Sequence, residues 1–148
     1  MLWFLRHAEA ADSQPDEARA LTPHGCEQAR LAGLALAALG VRLDACLSSP
    51  KRRAVQTAQY ACEPLGLEVT LEAALALPEY DPELLAAGLG DVILVGHNPA
   101  ISAAVQTLTG AHVRLRKGGI AAVSRGELVV LMGPRELAAA GTHRASGG

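Results

Sequence analysis

The chain has 148 residues, half of them hydrophobic and only 3% aromatic, with a formal net charge of −2. This length fits one domain, and the lack of a basic stripe or aromatic platforms argues against a nucleic-acid partner. No uninterrupted apolar run reaches the roughly 18 residues of a membrane span, and Arg6 ends the first apolar run too early for a signal peptide. We therefore expect no membrane partner and a cytoplasmic protein whose three cysteines, none in a Cys-x-x-Cys pair, are reduced.

Apolar runs typical of strands alternate along the chain with segments that begin on helix-capping residues. Thr22 before Pro23, and Ser49 before Pro50, are good starts for helices. In chain order the pattern predicts a strand over 1–5, a helix from Pro23 to about Gly40, a strand over 44–47, a helix from Pro50 to about Glu63, an edge strand over 67–71, a short helix from Pro82 to about Gly88, a strand over 91–95, a helix from Pro99 to about Leu108, and a hairpin of 120–123 and 128–131.

This alternation predicts an α/β protein with a single domain. The expected architecture is a three-layer sandwich, in which a mostly parallel but mixed central sheet carries helices on both faces. The domain is expected to span 1–133. The remaining residues, 134–148, are expected to be a partly disordered tail that includes a helical turn and ends disordered from Arg144.

Three predicted loops bring chemically active side chains to strand ends. Arg6 and His7 follow the first strand, Arg53 lies in the first turn of the second helix, and His97 precedes the helix that Asn98 caps. In open α/β sheets ligands bind at the carboxyl ends of the strands, and helix N-termini favour anions. Guanidinium groups hold phosphate oxygens and an imidazole nitrogen can attack phosphorus. The convergence predicts a phosphate site that includes Asn98.

Three motifs resemble those of the histidine phosphatase superfamily, which has the phosphoglycerate mutase-like fold. Arg6-His7-Ala8 corresponds to the family's Arg-His-Gly signature, with alanine in place of glycine. Residues 49–57 match Ser-Pro-x-x-Arg-Ala-x-Gln-Thr throughout, and 95–99 match the late strand that ends in a histidine. The small size, residues 19–25 and residues 117–119 are most similar to the SixA-type phosphohistidine phosphatases. The resemblance spans nearly the whole chain and identifies 1–133 as the histidine phosphatase domain.

The resemblance implies that His7 is the nucleophile and is transiently phosphorylated. It implies that Arg6, Arg53 and His97 surround the phosphoryl group, and that Arg19 is a further phosphate contact. Burial among arginines disfavours the protonated form of His7, as an attacking nitrogen requires. No His-Glu-x-x-His or paired cysteines occur, so we expect neither a metal nor another cofactor.

Glu79 is the candidate general acid, because larger relatives supply an acid from the same stretch and Asp81 is better interpreted as a helix cap. The spacing from Cys46 to Arg52 matches the Cys-x-x-x-x-x-Arg loop of tyrosine phosphatases. We discount that match, because Pro50 removes a needed backbone donor and Cys46 lies inside an apolar run.

Only about twenty residues separate Leu71 from Asp91, whereas family members that act on small molecules carry longer segments there. A short segment leaves the pocket open to a residue on a protein surface, so hydrolysis of phosphohistidine or another phosphoprotein is expected first. A phosphatase for small phosphomonoesters is the alternative, and an inactive phosphate-binding module is a distant third.

Overall fold

The computed structural model describes residues 1–147, and the side chains of 1–143. The strands are β1 Leu2–Arg6, β2 Ala45–Ser48, β3 Val69–Leu71, β4 Val92–Gly96, β5 Ile120–Ser124 and β6 Glu127–Met132. The helices are α1 Pro23–Ala38, α2 Arg52–Cys62, α3 Pro82–Ala86, α4 Ala100–Thr109 and α5 Pro134–Gly147.

The six strands form one mixed sheet in the order β3-β2-β4-β1-β5-β6. The first four strands in this order are mutually parallel, and β5 and β6 complete the sheet with antiparallel pairing. Arg6 pairs with Gly96, and Ser48 pairs with Val95. The carboxyl ends of β2, β4 and β1 therefore lie side by side at one edge, and the predicted mostly parallel α/β sheet is confirmed.

Both faces of the sheet are covered. Alternate residues of a strand point to opposite faces, and in β1 both Phe4 and Leu5 are fully buried. Leu5 packs in a core with residues of α1, α2 and α5, whereas Phe4 packs in a second core with residues of α3 and α4. This arrangement is the predicted three-layer sandwich and explains why the central strands are continuous hydrophobic runs.

Helix α1 packs unusually close to its two neighbours. A side-chain carbon added at Gly33 would collide with the carbonyl oxygen of Ala61 in α2, and one at Gly141 would collide with that of Leu31. The tail was expected to contain only a helical turn, but it forms the long helix α5, whose Leu137 is buried in the same core as α1. The domain boundary at residue 133 stays a prediction. The disorder expected from Arg144 onward falls outside what the structure describes, because the side chains of 144–147 and the whole of Gly148 are not among the described residues.

Two helices begin later than their proline signals predict. The helix expected at Pro50 starts at Arg52, with Lys51 as its N-cap residue, and the Ser49 hydroxyl bonds to the Lys51 amide and to His97. Helix α4 starts at Ala100 rather than at residue 99. The start of α1 is confirmed, since the Thr22 side chain accepts a hydrogen bond from the Gly25 amide. No helix among the described residues is long and apolar enough to cross a bilayer.

Candidate active site

His7 directly follows β1, and its side chain is buried, with only 6% of its surface exposed. Its Nδ1 lies 2.8 Å from the carbonyl oxygen of Ala8. A carbonyl can only accept, so Nδ1 carries the proton and the lone pair of Nε2 is left to act as the nucleophile. Burial lowers the pKa of His7 to about 4, with further lowering by Arg53, Arg6 and Lys117 against an opposing effect of the Ala8 hydrogen bond. His7 is therefore neutral near pH 7.

His97 follows β4 and faces His7, with the two ring centroids 5.3 Å apart and the planes tilted by 52°. Its Nε2 lies 2.8 Å from the Ser49 hydroxyl, which itself accepts from the Lys51 amide at 3.3 Å. The other ring nitrogen of His97, Nδ1, is a buried atom without a hydrogen-bond partner in the described part of the chain. Burial first, then His7, lowers the pKa of His97 to about 3. This neutral imidazole, 5.3 Å from the His7 ring, forms a polar wall of the candidate site.

Two arginines, Arg53 buried and Arg6 half-buried, supply fixed positive charge beside these rings. Arg53 is 6% exposed and lies in the first turn of α2, and its Nη1 donates to the Asp16 carbonyl at 2.9 Å. Arg6 donates from Nη1 to the Leu115 carbonyl at 2.9 Å. In both arginines the buried Nε has no partner among residues 1–143. Both guanidinium groups lie close enough to His7 to lower its pKa, so the pair is suited to binding an oxyanion beside that ring.

The side chain of Asp16 joins several cations at the border of the site, an arrangement that the sequence did not reveal. Its carboxylate accepts from Lys51 at 3.2 Å, Arg53 at 3.3 Å and Arg19 at 3.4 Å. The hydrogen bond from Lys51 is the largest cause that lowers the pKa of Asp16 to about 2. Asp16 is therefore ionised at neutral pH and cannot donate a proton there. It orients Arg53, although each exposed pair contributes little stability by itself.

Arg19 is held by two local contacts. Besides Asp16, its Nε donates to the Ala11 carbonyl at 2.8 Å. The side chain therefore reaches the site's border through Asp16, and direct phosphate binding by Arg19 stays a prediction.

Asn98 has its side chain engaged in structural contacts. Its Oδ1 accepts from the amide and hydroxyl of Ser102, at 3.3 and 3.1 Å, and its Nδ2 donates to the Leu115 carbonyl at 3.1 Å. Because Arg6 donates to the same carbonyl, Asn98 helps to hold the loop that positions Arg6. Direct binding of phosphate by Asn98 stays a prediction.

Glu79 lies apart from these contacts. It is exposed, makes no hydrogen bond or ion pair with another described residue, and borders a cavity of about 600 Å³ between α3 and α4 together with Tyr80. Burial raises the pKa of Tyr80, so that phenol stays protonated. The role of Glu79 as general acid stays a prediction.

Thr57 connects the two halves of the site. Its hydroxyl donates to the Arg53 carbonyl at 2.7 Å and accepts from the Ala8 amide at 3.0 Å. One buried hydroxyl thus fixes the first turns of α2 relative to the residue that follows His7. Thr57 and Ser49 were in the matched motif, but nothing in the sequence indicated these contacts.

The described side chains thus place two neutral imidazoles and two guanidinium groups, one buried and one half-buried, close together at the sheet edge. No group of three or more His, Cys, Asp or Glu that is arranged to hold a metal ion occurs in the described part of the chain. This set can bind a tetrahedral oxyanion and attack its central atom from Nε2 of His7.

A family model agrees with this geometry. Residues 2–81 match the histidine phosphatase superfamily (branch 1), and the chain belongs to that family. It is a histidine phosphatase-family phosphatase that is similar to the SixA proteins.

Two SixA comparisons cover most of the chain. Phosphohistidine phosphatase SixA from Escherichia coli strain K12 is 30% identical over 120 residues, 72% of this chain and 73% of the relative. A solved structure of protein histidine phosphatase SixA complexed with tungstate superposes with a TM-score of 0.77 at 28% identity, covering 92% of this chain and 98% of that one. Alpha-ribazole phosphatase from Shigella flexneri shares the fold at 18% identity and a TM-score of 0.67, covering 90% and 96%.

Proposed function

We propose that this protein hydrolyses phosphohistidine, or another phosphorylated residue of a protein, through a covalent phosphohistidine at His7. The observation that carries the proposal is the state of His7, which is buried, neutral and bound at Nδ1 by the Ala8 carbonyl. In the first step Nε2 of His7 forms a bond to phosphorus as the bond to the leaving group breaks. In the second step water attacks phosphorus, the P–N bond to His7 breaks, and inorganic phosphate leaves.

The other site residues stabilise the charge that develops on the phosphoryl oxygens. Arg6 and Arg53 donate charge-assisted hydrogen bonds, each contributing about 1.5–3 kcal/mol. His97, whose ring is held by the hydrogen bond between its Nε2 and the Ser49 hydroxyl, adds a polar wall beside the phosphoryl group. A phosphoryl group held this way is common to every substrate of the enzyme, so these residues support catalysis without selecting the leaving group.

The acids near the site support a nitrogen leaving group. Among the described residues Asp16 is the acid that hydrogen-bonds to the cationic cluster, and its pKa of about 2 prevents it from serving as a proton donor near pH 7. An alkoxide leaving group needs a proton more than an imidazole does. The segment between Leu71 and Asp91 holds only a short 3-10 turn at Ala73–Ala76 and the five-residue α3. A segment this short favours a substrate presented on a protein surface.

Small phosphomonoesters are the alternative substrate class. The shared fold of alpha-ribazole phosphatase supports keeping it, because this fold accommodates different phosphatases. We also propose a cytoplasmic location. The three cysteines support it, because all are free and two of them are buried.

The proposal is tested by turnover of three substrates together with trapping of the intermediate. We expect the highest kcat/KM on a phosphohistidine peptide, a lower one on an aryl phosphate and the lowest on a sugar phosphate. A rapid quench in alkali should leave phosphate on His7, whereas an acid quench should release it, because a P–N bond is acid-labile. A His7→Asn variant is the matched control and should carry no label. Acid-stable label, or fastest turnover of the sugar phosphate, would overturn the proposal.

A further inference from the structure

A basic groove lies next to the candidate active site. Arg114, Arg116 and Arg135 line a cavity of about 390 Å³ whose floor includes Leu115 and Met132. All three arginines are exposed, and none forms an ion pair with an acid in the described part of the chain. The other charged residue of the groove is Glu136, whose carboxylate folds back over Gly133. The groove thus has an excess of two positive charges on a chain whose net charge is −2.

The loop that forms one wall of this groove also forms one wall of the active site. The Leu115 carbonyl accepts from Arg6, and the Gly118 amide donates to the carbonyls of Arg6 and His7 at 3.0 and 3.1 Å. On its other side, a side-chain carbon at Gly118 would lie 3.6 Å from Pro134, at the start of α5. Lys117, between these residues, is close enough to lower the pKa of His7. The loop of residues 114–118 therefore borders both the candidate active site and the groove.

The strand register gives the distance between them. Leu5 pairs with Ile120, and Ile120 pairs with Met132, so the end of β6 lies two strands from the end of β1 at the same sheet edge. Two strand spacings amount to about 10 Å. An extended peptide covers that distance in about three residues. A substrate whose phosphorylated residue reaches His7 can therefore place a residue about three positions away in the groove.

We propose that the groove formed by Arg114, Arg116 and Arg135 binds an acidic segment of the phosphoprotein substrate, close in sequence to the phosphorylated residue. This inference rests on the proposed function and specifies its substrate class further. Guanidinium groups bind carboxylates through paired hydrogen bonds, and exposed arginines without acidic partners are available for them. Charges at the rim of an interface act on association and its salt dependence, so the groove should change KM rather than kcat.

The experiment compares two phosphohistidine peptides that differ only in charge. One carries glutamates at the second, third and fourth positions after the phosphohistidine, and the other carries glutamines there. Wild-type enzyme should prefer the glutamate peptide about tenfold in kcat/KM at low salt, the lower end of what electrostatic steering gives. Because salt screens exposed charges, about 0.5 M salt should remove most of this difference in kcat/KM between the two peptides.

The matched variants are R116E/R135E in the groove and R42E/R125E at the opposite edge of the sheet. Both change the net charge equally and replace exposed side chains. The groove variant should lose or reverse the preference and keep the wild-type rate on an aryl phosphate, which is too small to reach the groove. The control should keep the preference. Equal rates of wild type on the two peptides, or the same loss in both variants, would overturn the inference.

Failure of the proposed function gives a different result. In that case neither phosphohistidine peptide is turned over while the aryl phosphate is. The same peptides then serve as inhibitors of aryl phosphate hydrolysis. Stronger inhibition by the glutamate peptide, abolished in R116E/R135E, would still support an acidic ligand for the groove, and equal inhibition by the two peptides would refute it.

Discussion

The protonation of His7 offers a quantitative test of how the site is built. An unperturbed histidine has a pKa of 6.5, whereas burial, assisted by Arg53, lowers the pKa of His7 to about 4. The difference corresponds to about 3.4 kcal/mol between the two protonation states. Because the folded-state pKa is the lower one, the unfolded chain binds more protons between pH 4 and 6.5. The contribution of neutral His7 to the free energy of unfolding is therefore fully present above about pH 6.5 and is lost as the pH falls from 6.5 to 4.

At pH 5 the loss attributable to His7 should be about 2 kcal/mol relative to pH 8. Urea unfolding of the wild type and of His7→Asn at both pH values isolates this contribution, because the variant lacks the titrating ring while other groups are shared. The wild type should lose about 2 kcal/mol more than the variant. Direct NMR titration of the His7 ring should give a midpoint near 4.

Two outcomes would refute this account of the nucleophile. A His7 midpoint near 6.5 would mean that the ring is solvated in the folded protein rather than buried. Equal pH dependence of stability in the wild type and His7→Asn would mean that His7 contributes nothing to it. Activity supplies a third measurement. Because His7 stays neutral in the folded protein down to about pH 4, kcat/KM should show no decline with a midpoint near pH 6.5.

Further predictions concern the roles of individual side chains. Cys46→Ser should retain nearly full kcat, because a hydrogen bond with Cys62, together with burial, raises the pKa of Cys46 and keeps the thiol protonated; a folded but inactive variant would contradict this. Glu79→Gln should cost little on phosphohistidine but about 10²–10⁴-fold on an alkyl phosphate if it is the general acid, and equal losses on both would assign it another role. Arg53→Ala should lower kcat/KM on all substrates alike, and a loss confined to one substrate class would count against phosphoryl binding. Ser49→Ala should lower kcat by removing the hydrogen bond that orients the His97 ring, while Ser49→Thr should restore most of it; an unchanged kcat in Ser49→Ala would refute the positioning role.

The elements that local patterns specify could be predicted from the sequence. Thr22 and Asp81 cap helices through their own side chains, and the apolar runs became the buried strands. Arg6, His7, Arg53 and His97 could be located for the same reason, because each lies at the end of a strand or the start of a helix. Their clustering then follows from the parallel sheet.

Contacts between distant segments could not be predicted. Asp16 reaches Lys51 and Arg53 across 35 and 37 residues of sequence, and no periodic pattern marks such pairs. The Leu115 carbonyl, which holds Arg6, is a backbone atom that residue identity does not reveal. Helix α5 depends on the close approach of Gly141 to α1, a feature of packing rather than of helix signals.

The double hydrogen bond of Thr57 limits how this catalytic centre can change by mutation. A valine has nearly the shape of threonine, yet Thr57→Val would leave the Ala8 amide without its acceptor and would remove the side-chain hydrogen bond to the Arg53 carbonyl. The backbone that binds Nδ1 of His7 and the helical turn that carries Arg53 would both lose this shared hydrogen-bond partner. The positions of His7 and Arg53 therefore depend on one shared side chain, and a change at either affects the other. Substrate preference should be easier to alter at the arginine-lined groove, where each exposed side chain can be replaced without disturbing the others.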